Sequence, residues 1–262
     1  MELTGYIGAL FIGISLGLIG GGGSILTVPV LVYLFGVAPV AATSYSLFVV
    51  GATSLIGALN NWRRRLVDFN TAFLFGITSI ITVFITRKII IPHIPENIPM
   101  GNTTLHFSVL TMVFFAVLML LASVSMIRST DMKTEPGTPA AAFAKLILYG
   151  MGIGLVTGFL GAGGGFVLIP ALVLLLRLPM KKAIGTSLLI IALNSLAGFL
   201  GDKGHFEMDR TLLLSVTGLA IAGVFVGGWI GKVVNGNKLK KGFGWFVLLM
   251  GIYIIIREIW LR

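Results

Sequence analysis

A chain of 262 residues that is 56% hydrophobic and 11% charged, with a mean hydropathy of +1.03, lacks the charge to cover a water-facing surface, because soluble domains carry about 25% charged residues. The absence of cysteine excludes disulfides, thiolate metal sites and thiol chemistry. The formal net charge of +10 would suit nucleic acid in a soluble protein, but in a polytopic membrane protein it reflects Lys and Arg in short cytoplasmic loops, so no nucleic-acid partner is expected.

The opening MELTGYIGAL lacks a positive n-region and an A-x-A-like site, so the first apolar segment is expected to do its own targeting. Apolar runs predict segments at 3–19, 24–36, 42–61, 70–91 and 106–127, then at 144–160, 165–178, 183–200, 210–234 and 242–260. The stretch Phe107–Ile127 holds no charge and is long enough to span about 30 Å of hydrocarbon. Segments 24–36 and 165–178 are short for a full crossing, so they predict re-entrant hairpins or broken spans, with 8–10 transmembrane helices in all. The polar stretch RSTDMKTEPGTP separates the halves, which gives a first unit at 1–127, a linker at 128–142 and a second unit at 143–262.

The two halves repeat. Shifted by 141 residues, Gly13–Asp68 lies over Gly154–Asp209 without a gap, and 17 of the 56 pairs are identical. The matches include Gly17/Gly158, Gly20/Gly161, Gly22/Gly163, Pro29/Pro170, Ser46/Ser187, Ser54/Ser195 and Asp68/Asp209. Apolar composition explains matching Leu and Val but not matching Gly, Pro, Ser and Asp. Each half holds five segments, an odd number of crossings even if two form a re-entrant hairpin, so the halves are expected to be inverted. Loops after segments 3, 5, 7 and 9 carry 13 Lys and Arg against 6 on the other side. The richer side is expected to be cytoplasmic, with both termini outside.

GLIGGGGSILTVP and GFLGAGGGFVLIP are therefore expected to be paired helix breaks. A break inside the membrane is tolerated only within protein or beside a watery cavity. A helix restarting there presents N–H groups and a positive dipole end to an anion. Gly21, Gly22, Gly23 and Ser24, with Gly163, Gly164 and Gly165, are the candidate backbone site, with helices starting near Ser24 and near Gly165. The competing reading is close helix packing through small residues. No Gly-Lys-Ser/Thr follows either cluster, which excludes a nucleotide P-loop.

Ser46, Thr53 and Asn60 recur every seven residues and so fall within about 40° on one helical face. Ser187 and Asn194 occupy the positions equivalent to Ser46 and Thr53, and Tyr45 matches Thr186. These neutral donors suit a small oxyanion that must bind and leave. Interhelical contact is the alternative use of such groups. Arg63 and Lys203 are candidates for attracting anions to a vestibule, and His205 for meeting substrate or carrying a proton at the exit. Asp68 and Asp209 are expected to cap the helices that follow. No buried carboxylate is expected in the middle of a segment.

These motifs in combination, with SLFVVGATSLIGALNNWRRRLVD in the first half and GTSLLIIALNSLAGFLGDKGHFEMD in the second, resemble the TauE/SafE family of so-called sulfite exporters. The resemblance covers nearly the whole chain. It implies an all-helical, two-repeat permease of the bacterial inner membrane that moves sulfite, sulfoacetate or other sulfonates, and it allows a homodimer. Direction of transport rests on the family name alone. A carrier or channel for another small anion, such as a carboxylate, is the first alternative. A membrane-embedded enzyme is the second, but no H-E-x-x-H, nucleophile elbow or paired carboxylate is present. No metal or cofactor is implied.

Overall fold

Gly, Pro and capping Asp divide the apolar runs, and between them the backbone is helical. The structure, a computed structural model, describes residues 2–95, 97–100, 103–128, 139–161, 163–176, 178–202, 208–230 and 236–260. Helix α1 (Glu2–Ile19) stops at Gly20, whose φ of 75° belongs to the left-handed region that glycine enters without strain. A 3₁₀ turn, Gly21–Leu26, leads into the short α2 (Thr27–Tyr33). Helix α3 (Pro39–Arg63) starts at a proline, whose fixed φ suits the first helical turn. Helix α4 (Phe69–Ile85) is capped by Asp68 and widens into a π turn, Thr86–Ile90.

Pro92, Pro95 and Pro99 stop helical continuation. The chain there forms a small antiparallel hairpin of β1 (Asn97–Met100) and β2 (Thr103–His106), in register Asn97 to His106 and Met100 to Thr103. This short hairpin is an addition to the expected all-α architecture. Helix α5 (Phe107–Arg128) completes the first half. The second half comprises α6 (Pro139–Leu160), α7 (Gly165–Leu176), α8 (Met180–Gly201), α9 (Arg210–Ile230) and α10 (Gly236–Trp260). Helix α6 begins inside the stretch expected as linker, and residues 129–138 of that stretch lie outside the described residues.

Among the described residues, four helical stretches are long and apolar enough to cross a membrane: Pro39–Arg63, Phe69–His93, Lys181–Gly201 and Arg210–Ile230. Phe73, Leu121, Leu148, Leu214, Phe225 and Trp229 stand exposed on the outside, while Ser46, Ser54, Thr186, Asn194 and Ser195 are buried inside. An apolar exterior around a polar centre is the distribution a bilayer selects.

Helix α1 packs on α9 and α6 on α4, while α3 packs against α8 and α5 against α10. The contacts recur with 141 added. A Cβ on Gly13 would lie 1.9 Å from the Ala220 carbonyl oxygen, and one on Gly154 would lie 2.8 Å from that of Ser79. Close helix contact through small residues replaces the hydrophobic driving force that lipid does not supply. One core cluster joins Ile12, Leu16, Phe115, Val216 and Ile254, and a second joins Val50, Phe75, Leu168 and Ile191.

Candidate functional site

The two glycine breaks meet. A Cβ on Gly165 would lie 2.2 Å from the Gly21 carbonyl oxygen, and one on Gly21 would lie 2.8 Å from the Gly165 Cα. Only glycine permits backbones this close. The second break is the more irregular: Gly161, Gly163 and Gly164 have φ of 66°, 66° and 65°. Helix α7 starts at Gly165, where the sequence places it, whereas the first break resumes as a 3₁₀ turn from Gly21 and becomes α-helical at Thr27. Gly22 and Gly23 lie in that turn, and Ser24 is buried there with its hydroxyl donating to the Gly21 carbonyl at 2.8 Å.

Helices α3 and α8 cross these breaks. A Cβ on Gly163 would lie 2.8 Å from side-chain carbons of both Val50 and Ile191, and 3.0 Å from Ser195 Oγ. Gly20 abuts Ile184, and the equivalent Gly161 abuts the Thr43 carbonyl. Ser46 is fully buried and, among the described residues, its hydroxyl has no hydrogen-bond partner. Its equivalent, Ser187, donates to the Ile184 carbonyl at 2.9 Å. Thr53 donates within its own helix, to the Val49 carbonyl at 2.6 Å. Asn194 donates its Nδ2 to Ser79 Oγ at 2.6 Å, and its Oδ1 has no partner among the described residues. Ser54 and Ser195, a matched pair in the repeat, are buried and likewise unpartnered among the described residues. A buried polar group without a partner is rare and calls for an explanation.

The remaining predicted residues fall elsewhere. Tyr45 and Thr186 hold helix starts: the Tyr45 hydroxyl accepts the Asp209 N–H at 2.6 Å, and Thr186 Oγ1 accepts the Asp68 N–H at 2.9 Å. Both aspartates cap as expected, with Oδ1 accepting from the Thr71 N–H at 2.9 Å and the Leu212 N–H at 3.0 Å. Asn60 is exposed, although Gly57 and Ala58 in the turn before it are buried, and Arg63 is exposed one turn further on. Lys203 and His205 lie outside the described residues.

One buried charged pair was not anticipated; its carboxylate lies past the end of α8, outside the mid-segment positions where no buried carboxylate is expected. Asp202, at the C-terminal end of α8, is 2% exposed and Arg87 is 0% exposed. Arg87 Nη1 donates to Asp202 Oδ2 at 2.8 Å, and the Ser44 hydroxyl donates to the same oxygen. Arg87 continues the buried face of α4 that Phe75, Ser79 and Val83 define, while Lys88, about 100° further round, is exposed with its Nζ 5.4 Å from the Phe84 ring centroid. The available sequence signal was an arginine inside the apolar segment 70–91. The partner, 115 residues away at another segment's end, left no local trace.

Apolar outer surfaces, a glycine-broken centre and buried hydroxyls are the features of an integral membrane protein built for solute passage. Residues 6–254 match the family described as Sulfite exporter TauE/SafE, and the chain belongs to that family of membrane transporters. It is 29% identical over 254 residues to a probable membrane transporter protein of Xylella fastidiosa, covering 94% of this chain and 92% of the relative. It is 27% identical over 257 residues to the probable membrane transporter protein YunE of Bacillus subtilis, covering 91% and 89% of the two chains. A probable membrane transporter protein of Methanocaldococcus jannaschii is 25% identical over 203 residues, covering 76% of this chain and 68% of the relative. No solved structure matches the chain.

Proposed function

We propose that the chain is an inverted-repeat secondary transporter that moves a small sulfur oxyanion, sulfite or a C2 sulfonate such as sulfoacetate, outward across the cytoplasmic membrane. The observation that carries this reading is the set of buried, unpartnered oxygens on Ser46, Ser54, Asn194 and Ser195, on the two helices that cross the meeting glycine breaks. The family description supports the substrate class. Reciprocal packing of α1 on α9 and α6 on α4 supports the inverted repeat.

In this mechanism the contact between Gly21 and Gly165 is the closed state. Rocking of one half against the other parts the breaks. Backbone N–H groups of both breaks then join the hydroxyls of Ser46 and Ser187 and the amide of Asn194 around the anion. Neutral donors replace water without holding the anion too tightly to release. Arg63 and Lys203 raise the local anion concentration, and both termini face outward.

The test is a thermal-shift panel on the detergent-purified protein at fixed pH and ionic strength. Sulfite, sulfate, sulfoacetate, taurine, acetate and phosphate are compared on wild type and Asn194→Ala. Stabilisation by a sulfur oxyanion that the variant loses is the expected result. A response to acetate alone replaces the substrate class. No response to any anion removes the proposed anion substrate and returns the glycines to packing.

A further inference from the structure

The oxygens above leave one buried group of opposite character unused. Arg87 is fully buried, yet among the described residues its Nε and Nη2 have no hydrogen-bond partner. A guanidinium carries five N–H donors in a rigid fork. Asp202 engages Nη1 at 2.8 Å, and Ser44 Oγ lies 3.4 Å from the same nitrogen. The other edge, Nε with Nη2, presents two parallel N–H bonds to two oxygens of one planar or pyramidal oxyanion. Leaving a charged donor buried and unmatched is costly. A bridge serving stability alone would engage that edge.

Arg87 and Ser44 each follow a residue that packs against the glycines of the second half: a Cβ on Gly158, in α6, would lie 2.7 Å from the Thr86 Cβ, and one on Gly161 would lie 2.2 Å from the Thr43 carbonyl oxygen. Thr86 and Arg87 open a π turn, a distortion that recurs at functional sites.

The repeat supplies a control. Positions offset by 141 from Arg87, Asp202 and Ser44 hold Gly228, Asn61 and Gly185. There a Cβ on Gly185 would lie 3.1 Å from Asn61 Cβ and 2.4 Å from the Leu66 carbonyl oxygen, while one on Gly228 would meet nothing within 4 Å. The repeat carries no ion pair of these three residues at this position. An arginine inside an apolar span is costly and marks a functional group.

We propose that the Nε/Nη2 edge of Arg87 is a one-sided binding subsite for a small oxyanion, with Asp202 as the internal carboxylate that holds Arg87 in place between ligands. The proposal rests on the transporter reading above and adds a charged station at one end of its path. Asp202 offsets the arginine's charge, so removing its negative charge strengthens the hold on the anion. Binding through a bidentate edge also distinguishes arginine from lysine, which offers a point charge.

The test is calorimetric titration of the full-length protein in detergent with sodium sulfite and with sodium sulfoacetate, against matched sodium chloride. Wild type is compared with Arg87→Lys and Asp202→Asn. The expected results are roughly tenfold weaker binding in R87K and roughly tenfold tighter binding in D202N. Wild-type binding that both variants leave unchanged overturns the subsite while the transport reading stands. If R87K does not fold, D202N decides alone, and unchanged or weaker binding there overturns the proposal. A wild type that binds neither probe removes the transport reading for these anions and the subsite with it.

Discussion

The hydroxyl of Tyr45 accepts the backbone N–H of Asp209 at 2.6 Å, fastening α3 to the start of α9. Thr186 repeats the bond on Asp68, fastening α8 to the start of α4 at 2.9 Å. Each donor is a capping residue's own N–H, left orphaned in a helix start. Tyr45→Phe and Thr186→Val are therefore expected to cost about 1–3 kcal/mol each by stranding it. Thermal melts with and without sulfite separate this role from the substrate-binding role expected from the sequence. Lower melting temperatures with an intact sulfite response support the bracing role. Unchanged melting with a lost response makes these groups ligands instead.

Gly13 sits where α1 meets the backbone of α9, and an added Cβ would lie 1.9 Å from the Ala220 oxygen. The obstacle is backbone, which no rotamer change relieves. Gly13→Ala and Gly154→Ala are expected to destabilise by about 1–3 kcal/mol or more. Gly152 has nothing within 4 Å of an added Cβ, so Gly152→Ala is the matched control. It is expected to be neutral or stabilising by up to about 1 kcal/mol, because Ala is the better helix former. Equal losses in all three, read by thermal unfolding, would contradict the packing argument.

Much of this architecture is legible in the sequence because glycine, proline and capping aspartate carry local signals. The break at Gly165, the proline-initiated α3 and the caps at Asp68 and Asp209 all lie where residue chemistry puts them. The site is less legible, because partnering is decided between helices. Nothing within α3 reveals that Thr53 satisfies its hydroxyl on Val49 while Ser54, one residue on, does not. Seven-residue spacing groups Asn60 with Ser46, yet Asn60 is exposed while Gly57 and Ala58 beside it are buried. Arg87 does continue the helical spacing of α4's buried residues Phe75, Ser79 and Val83, but nothing in that spacing names Asp202 as its partner.

Ser54 and Ser195 give the unpartnered hydroxyls a stability signature. Each buries an oxygen that no group among the described residues satisfies. Ser54→Ala and Ser195→Ala are expected to leave unfolding unchanged or to raise stability by up to about 1 kcal/mol, since removing an unsatisfied group removes its desolvation cost. The same variants should shrink the sulfite-dependent thermal shift. A loss of stability greater than about 1 kcal/mol would instead assign the hydroxyls to helix-to-helix contact.

Arg87 and Asp202 are each buried against the other, so removing one strands a charge. Arg87→Met and Asp202→Leu are each expected to lose about 3–5 kcal/mol, because breaking a buried pair leaves an uncompensated ion. The double variant should lose much less than the sum, since two apolar side chains carry no desolvation cost. Ser44, which donates to Asp202, would lose its acceptor in Asp202→Leu and in the double variant but not in Arg87→Met, so part of the loss persists in the double variant. The cycle, measured by thermal or detergent-induced unfolding, therefore predicts strong positive coupling with incomplete recovery. Additive losses would mean that the two charges are satisfied separately and that the 2.8 Å contact contributes nothing. Strong coupling alone defines a structural pair, and anion binding by D202N then decides whether that pair also serves the ligand.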